Sequence, residues 1–264
     1  MQAVKAILVL ATSLLAGWGG QRALGSTTAH PAVQQYLDNP SFEWKCDKTE
    51  HFQICVERDA QDDHAIGLLK RNAERDRTQV LNFAGDPAYD HMIHVFLVKS
   101  RTRMKDLIGF DVDGRSRPAQ HALFSVVTPY RLHLTHELCH EIFTNIWGAA
   151  EPWVEEGFAT YATESLTVDQ HCWHWLSSGQ LLPLAKLVNA EWNTSLYSPD
   201  VTYPELGGFV KFLRETYGID RVKDVWQGGS DSILHVFGKP LGTLEAEWLK
   251  ALKQRAAKQR VPAA

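Results

Sequence analysis

The chain has 264 residues, of which 44% are hydrophobic and 22% are charged, and its formal net charge is −4. These values are ordinary for a globular protein and leave enough apolar residues for a sizeable core. Lysine and arginine are dispersed along the chain, apart from a short basic stretch near the C-terminus. The composition therefore gives no electrostatic footprint for nucleic acid, and we expect no nucleic-acid partner.

Residues 1–25 have the pattern of a secretory signal peptide. Lys5 precedes an apolar run over 6–16, and Ala23-Leu24-Gly25 supplies small residues before a cleavage point ahead of Ser26. The run is too short for a comfortable membrane span, and no later stretch approaches 18 consecutive apolar residues. We expect a periplasmic or extracellular protein whose mature chain does not span a membrane. An uncleaved N-terminal anchor is the alternative.

Export places the four cysteines in an oxidising compartment. Cys46 and Cys55 lie in two strand-like segments that flank residues 47–50, and facing strand residues can meet disulfide geometry. We therefore expect a hairpin closed by a Cys46–Cys55 bridge. Cys139 and Cys172 either form a second bridge or remain small buried thiols, and the sequence favours neither.

The segment after this hairpin alternates helical and strand patterns. Apolar residues at helical spacing predict an amphipathic helix over 59–83, and β-branched and aromatic residues predict a strand over 91–98. A short helix is predicted at 101–108, followed by a loop containing Gly, Asp and Pro at 110–120. A second strand is predicted at 122–127.

The segment with the strongest chemical pattern is His136-Glu137-Leu138-Cys139-His140. On an α-helix, positions i and i+4 lie on one face, one turn apart. His136 and His140 can therefore direct two imidazoles at a single Zn²⁺. Glu137 lies about 100° round the helix from His136. That position is off the metal but close to an attacking water, where a general base belongs.

A second helix can complete this metal site. Glu151 is followed by Pro152, a residue typical of the first helical position, and then by an apolar-periodic run. This helix carries Glu155 and Glu156, and one carboxylate would complete a His₂Glu set that leaves the fourth zinc position open. Only one of two adjacent residues can face the metal, and helix geometry does not say which.

Two further histidine pairs are interpreted as structural or solvent-exposed. His91 and His94 lie on opposite sides of a predicted strand, so they cannot share one ion. His171 and His174 have helical spacing, but no acidic partner is evident beside them in the sequence.

The motif His136-Glu137-x-x-His140, followed by Trp153-Val154-x-Glu156-Gly157-Phe158-Ala159, resembles the gluzincin metallopeptidases. The likeness is closest to small peptidase MA-like domains and more distant to the aminopeptidase N branch. It covers roughly residues 41–255 and is strongest at 131–161. The resemblance implies that Glu156 is the third zinc ligand, and it implies a zincin-like fold.

The same resemblance extends to the catalytic and later parts of the chain. Segment 203–218 is similar to the helix that follows the active site in these proteins, and 244–249 is similar to their closing helix. Tyr203 would then stabilise negative charge on the reacting carbonyl oxygen, with Tyr197 and His174 as alternatives.

Substrate binding is also suggested by the resemblance. In gluzincins a strand before the zinc helix lines the cleft, so residues 121–128 would pair with an extended substrate through their edge. An ordinary buried strand is the alternative reading of this segment. The Gly-x-Met-Glu-Asn signature of aminopeptidases is absent from the region. This absence favours an endopeptidase-like or unknown specificity.

Together these patterns predict an α+β fold in a single domain over 26–264. A small mixed sheet with a covering helix (26–130) packs on a largely helical half (131–264), and the zinc helix lies at the junction. The predicted function is zinc-dependent hydrolysis of peptide bonds in a peptide or protein substrate. The alternative is a zinc-binding but catalytically idle domain with a role in binding or envelope assembly. The oligomeric state is not predicted.

Overall fold

A computed structural model describes the part of the chain given by these ranges: 31–60, 63–85, 89–127, 134–189 and 202–259. The predicted signal peptide and Tyr197 lie outside these residues. The described residues form an α+β fold that is mostly helical and contains one mixed sheet, as the sequence predicts. Among them, no helix is both long and apolar enough to cross a bilayer.

Five strands are present in the described ranges: β1 (Trp44–Lys48), β2 (Phe52–Glu57), β3 (Ile93–Val98), β4 (Gly114–Arg117) and β5 (Ala122–Val126). They form a sheet of order β1-β2-β3-β5-β4. Strands β2, β3 and β5 are parallel, and β1 and β4 add to the two ends in antiparallel orientation. The sheet therefore has a parallel centre and antiparallel edges.

The helices of the described ranges are α1 (Pro31–Leu37), α2 (Asp63–Ala84), α3 (Arg101–Ile108), α4 (Leu134–Trp147), α5 (Pro152–Glu164), α6 (Val168–Ser178), α7 (Leu184–Val188), α8 (Thr202–Tyr217), α9 (Ile219–Gly228), α10 (Ile233–Phe237) and α11 (Leu241–Gln259). The helix predicted from periodicity at 59–83 and the short helix predicted at 101–108 are confirmed as α2 and α3. The segments 203–218 and 244–249 are helical, in α8 and α11.

Apolar layers cover both faces of the sheet. On one face, Ile54, Val95 and Leu123 pack with residues of α2 and α4. On the other face, Phe96 and Phe124 pack with α1 and α3. Parallel strands with continuous apolar runs need cover on both sides, so the prediction of a single covering helix was incomplete. Helix α4 joins the sheet to the helical half, because it contacts α2, β4 and β5 as well as α5 and α9.

The sheet edge nearest α4 differs from the prediction. Segment 110–120 was predicted as a loop, but Gly114–Arg117 forms β4 and pairs with β5. The expectation that 121–128 offers a free edge was wrong, because β5 has a strand on each side and is wholly buried. The sequence Gly-Arg-Ser-Arg has low strand propensity, so β4 owes its conformation to pairing with β5.

Two of the four cysteines form a disulfide, and the other two do not. Cys46 and Cys55 face each other across β1 and β2 and form the predicted disulfide. Cys139 and Cys172 are free and buried, so the second bridge does not form. The Cys172 thiol instead donates a hydrogen bond to the Pro204 carbonyl oxygen at 3.1 Å. The reading of these two residues as small buried thiols is therefore confirmed.

Helix α8 buries a carboxyl group, that of Glu205, which has no solvent exposure. One carboxyl oxygen accepts a hydrogen bond from the Leu182 backbone at 3.0 Å. The other has no hydrogen-bond partner among the described residues. Burial raises the pKa of Glu205 to about 7, with the charge of Glu245 adding to the effect and the bond from Leu182 opposing it. Ionising this group in the folded chain therefore costs free energy near neutral pH.

The cysteine assignment predicts the thiol count and the stability of a disulfide-free variant. Oxidised chain that is denatured without reductant should expose only the two free thiols, Cys139 and Cys172. Because the bridge spans a sequence separation of 9, replacing Cys46 and Cys55 together by Ala should lower the free energy of unfolding by about 2–3 kcal/mol. Thiol titration and urea denaturation measure these effects. Four reactive thiols before reduction would contradict the assignment.

Glu205 predicts a specific dependence of stability on pH. The ordinary pKa is 4.5 and the folded value is about 7, so the unfolded chain ionises first as pH rises. Stability is then lost between these values, on the order of 3 kcal/mol. Glu205→Gln keeps an acceptor for the Leu182 backbone and removes the titration. In urea denaturation, the free energy of unfolding of the variant should rise relative to that of wild type between pH 4.5 and pH 8. A difference in unfolding free energy between variant and wild type that is the same at both pH values would contradict this account.

Candidate metal centre

Helix α4 presents both histidines of the motif at one side. Its apolar residues Leu138, Ile142 and Phe143 are buried in the core between the sheet and the helical half. His136 and His140 lie one turn apart, and their side chains keep only 17% and 13% of their exposure. The core contacts of α4 therefore hold two partly buried imidazoles towards α5.

Helix α5 supplies the third group. It begins at Pro152, as the sequence predicts, and the Glu151 carboxylate accepts hydrogen bonds from the Trp153 indole at 2.8 Å and the Ser230 backbone at 2.9 Å. Glu156 is buried against the two histidines, whereas a Glu155 oxygen accepts a hydrogen bond from the Ala150 backbone at 3.1 Å. Of the two adjacent carboxylates, Glu156 is the one in the cluster.

The three groups fit a single metal ion. His136 Nε2 lies 3.0 Å from Glu156 Oε2, and His140 Nε2 lies 3.1 Å from His136 Nε2. Glu156 Oε1 lies 3.5 Å from His140 Nε2. Ligand atoms about 2.0–2.1 Å from a tetrahedral ion would be about 3.3 Å apart, close to these separations. The cluster could therefore hold a metal ion, as its donor set indicates.

The charges of the cluster are strongly coupled. Burial alone would raise the pKa of Glu156, but the charge of His140 and hydrogen bonds from His136 and His140 outweigh it and set the pKa at about 2. Burial alone would lower the pKa of His140, but Glu156 outweighs it and raises the pKa to about 9. A cation that binds here must displace the proton of His140, so binding is coupled to proton release.

Glu137 lies beside the cluster without belonging to it. Its side chain is buried, and burial raises its pKa, while the charges of His140 and His136 act in the opposite direction. The carboxylate packs against Gly114 of β4, where an added Cβ would lie 2.6 Å from Glu137 Oε1. A side chain at position 114 would therefore force the Glu137 carboxylate to move. Sequence reasoning missed Gly114, although glycine within a strand often marks such a close approach.

Two glycines bring α8 close to α5. A Cβ at Gly157 would lie 2.8 Å from the Leu206 carbonyl oxygen, and a Cβ at Gly207 would lie 2.9 Å from Thr160 Cγ2. Neither position has room for a side chain, so the two helices approach closely where these glycines lie. The first turn of α8, which carries Tyr203, is thereby placed beside Glu156.

Tyr203 lies against the cluster, as expected of a catalytic candidate. Its ring is parallel to the His136 ring, with centroids 5.9 Å apart. Burial raises the pKa of Tyr203, and the nearby carboxylates of Glu156 and Glu137 raise it further. The phenol therefore keeps its proton at neutral pH and can donate a hydrogen bond. The alternative candidate His174 is exposed and packs on Trp175, at 5.0 Å between ring centroids.

A cavity of about 310 Å³ opens beside the cluster. The residues that line it come from the β4 edge, α4 and the start of α5: Arg115, Ser116, Pro118, Glu137, His140, Thr144, Pro152, Glu155 and Glu156. The cavity therefore brings together one ligand of each helix, the Glu137 carboxylate and the edge of the sheet.

A buried network fixes the sheet edge relative to α4, and sequence reasoning missed it. Glu141 has no solvent exposure, and its carboxylate accepts hydrogen bonds from the Tyr89 hydroxyl at 2.7 Å and the Ser116 hydroxyl at 3.4 Å. His121 Nδ1 lies 3.0 Å from the same carboxylate, and the Asn145 amide donates to it at 3.1 Å. Because Glu141 directly follows His140, these contacts tie β4 and the residue that precedes β5 to the helix that carries the cluster.

The other histidine pairs have structural contacts. His91 stacks on His121 with ring centroids 4.4 Å apart, and His171 lies 3.5 Å from Glu164. In the described part of the chain, only the group described above brings three candidate ligand residues close enough to share an ion. Two details differ from the sequence analysis, because His91 precedes β3 and His171 has an acidic neighbour in Glu164.

No family model matches this chain, and no curated protein matches it. The function of the site is therefore inferred from its own geometry and chemistry.

The choice between the adjacent glutamates gives a matched test of the centre. Wild-type chain, supplied with a divalent cation, should bind about one ion, and Glu156→Gln should weaken binding by more than about 100-fold, because loss of even an outer partner of a ligand costs about 10–100-fold. Glu155→Gln is the control and should keep the ion. Elemental analysis and competition with a chelator measure the affinity. Equal losses in the two variants would contradict the assignment.

Proposed function

We propose that this chain is a gluzincin-type zinc peptidase that hydrolyses peptide bonds. The observation that carries the proposal is the convergence of His136, His140 and Glu156 beside the buried Glu137 carboxylate. Two imidazoles and one carboxylate are a ligand set of catalytic zinc sites, which keep one coordination position open. The motif resemblance to peptidase MA-like domains supports the same ion and a zincin-like fold.

The residues around the cluster have roles that suit this reaction. Bound zinc supplies Lewis-acid polarisation of the scissile carbonyl and makes an attacking water more acidic. Glu137 takes the proton of the water and passes it to the departing amine. Burial raises its pKa above the ordinary value, which is the direction that helps a carboxylate accept a proton near neutral pH. Tyr203 donates a hydrogen bond to the carbonyl oxygen as negative charge develops there.

The substrate strand is proposed to lie along β4. This strand ends the sheet and pairs only with β5 among the described strands. Its residues Arg115 and Ser116 line the cavity beside the cluster. An extended peptide can add to such an edge through backbone hydrogen bonds. The pairing with substrate that the resemblance suggested for 121–128 is therefore assigned to β4 in this proposal.

Export is part of the proposal. The Cys46–Cys55 disulfide is consistent with an oxidising compartment. The predicted signal peptide at residues 1–25 lies outside the described residues and stays a sequence-based prediction. The proposed location is periplasmic or extracellular.

The proposal predicts which variants lose cleavage but keep the metal. Glu137→Gln should lower kcat by about 10²–10⁴-fold, because proton transfer is lost. Tyr203→Phe should lower kcat by about 10²–10³-fold, because a donor to the developing charge is lost. Cleavage of a broad peptide mixture, followed by mass spectrometry, measures both effects beside the metal content of each variant.

His174→Ala is the matched control, because this exposed histidine lies outside the cavity, and it should cleave like wild type. Metal-loaded wild type that cleaves no peptide would contradict the proposal and favour the idle zinc-binding domain. Equal cleavage by wild type and Glu137→Gln would also contradict the proposed mechanism.

A further inference from the structure

Arg115 is the one arginine or lysine among the described residues that line the cavity. The same cavity is lined by the carboxylates of Glu137, Glu155 and Glu156. The arginine ion pairs found in the described ranges do not include Arg115. Its guanidinium instead lies 5.4 Å from the ring centroid of Phe110, which is 48% exposed. Arg115 is therefore a half-buried residue at the rim of the cavity, and its guanidinium has no carboxylate partner among the described residues.

Three arginines nearby in the sequence have structural partners. Arg101 forms an ion pair with Asp111 at 2.8 Å, and Arg103 forms one with Glu57 at 2.6 Å. Arg117, two residues along β4, donates to the Ile108 carbonyl oxygen at 2.9 Å. These three side chains hold elements of the fold together, and Arg115 has no comparable structural task.

The strand positions on either side of Arg115 are already used for packing. Gly114 lies against Glu137, and the Ser116 hydroxyl donates to Glu141. The backbone of β4 is thereby fixed without any contribution from the Arg115 side chain. Replacing this side chain should therefore leave β4 and the metal cluster in place.

The positive charge of Arg115 acts on the reacting groups. Burial raises the pKa values of Glu137, Glu155 and Tyr203, and the charge of Arg115 lowers each of them in part. Arg115 thus opposes the negative charge of the carboxylates with which it lines the cavity.

We propose that Arg115 binds a carboxylate of the peptide substrate and so determines specificity for acidic substrates. The inference rests on the proposed peptidase function. A planar guanidinium matches a carboxylate with two parallel hydrogen bonds, and such charge-assisted pairs are the stronger class of hydrogen bond. The carboxylate belongs either to an Asp or Glu side chain or to the C-terminus of the substrate, and a test can separate these sources.

The test measures peptide binding in a chain that does not cleave. Zinc-loaded Glu137→Gln protein is immobilised and incubated with a synthetic library of random decapeptides. One half of the library has free C-termini and the other half has amidated C-termini. Bound peptides are eluted and quantified by mass spectrometry. The same measurement is made on double variants that combine Glu137→Gln with Arg115→Gln, Arg115→Lys or Arg221→Gln. Arg221 is an exposed arginine on α9, and its substitution is the matched control.

Carboxylate-bearing peptides should be enriched about 10–100-fold over their neutral counterparts, the range expected for a hydrogen bond to a charged group. Enrichment of Asp and Glu within the peptide identifies a side-chain carboxylate, and enrichment of free over amidated C-termini identifies the terminal one. Arg115→Gln should remove the enrichment, Arg115→Lys should retain part of it, and the control should retain all of it. Enrichment that is absent, or that persists in Arg115→Gln, overturns the inference.

This test separates the two proposals. Wild type that cleaves peptides, combined with no Arg115-dependent enrichment, refutes only the specificity assigned to Arg115. Arg115-dependent enrichment without cleavage by metal-loaded wild type refutes the peptidase function and leaves a carboxylate-binding site.

Discussion

The burial of α4 is the constraint on which the site depends. Leu138, Ile142 and Phe143 each bury an apolar side chain in the core, and full burial of such a side chain stabilises a fold by about 1.5–3 kcal/mol. This packing fixes the rotation of the helix, and rotation decides where His136 and His140 point. A helix turned by one residue would move both imidazoles away from Glu156. The convergence of the three candidate metal ligands is therefore a consequence of core packing on the other side of α4.

Close backbone contacts then set the distances around the cluster. Gly157 lets α8 approach α5, which brings Tyr203 beside His136, and Gly114 lets β4 approach the Glu137 carboxylate. The hydrogen bonds of Glu141 hold the same strand against α4. Absence of a side chain at two positions thus places a phenol, a buried carboxyl group and a sheet edge around one cavity. Arg115 lines the same cavity, where we propose that it meets the substrate.

The sequence predicts the part of the site that depends on one helix. The spacing of His136 and His140 determines that they share a face, whatever the rest of the fold does. Distances between elements are different, because they depend on tertiary packing. The choice between Glu155 and Glu156 needed a family resemblance. The sequence could not decide whether the cysteines in α4 and α6 form a disulfide. Strand β4 was missed because its residues lack strand propensity. The hydrogen bonds of Glu141 could not be predicted for the same reason, because its partners come from segments distant in the sequence.

The most direct test of the central claim is the position of the ion itself. A crystal of the chain grown with Zn²⁺ should show, in data collected on either side of the zinc absorption edge, one strong anomalous peak about 2.0–2.1 Å from the histidine nitrogens of the cluster. A Glu156 carboxylate oxygen should complete the same coordination sphere. A peak elsewhere, or a bound ion that leaves the Glu156 carboxylate out of its coordination sphere, would contradict the account.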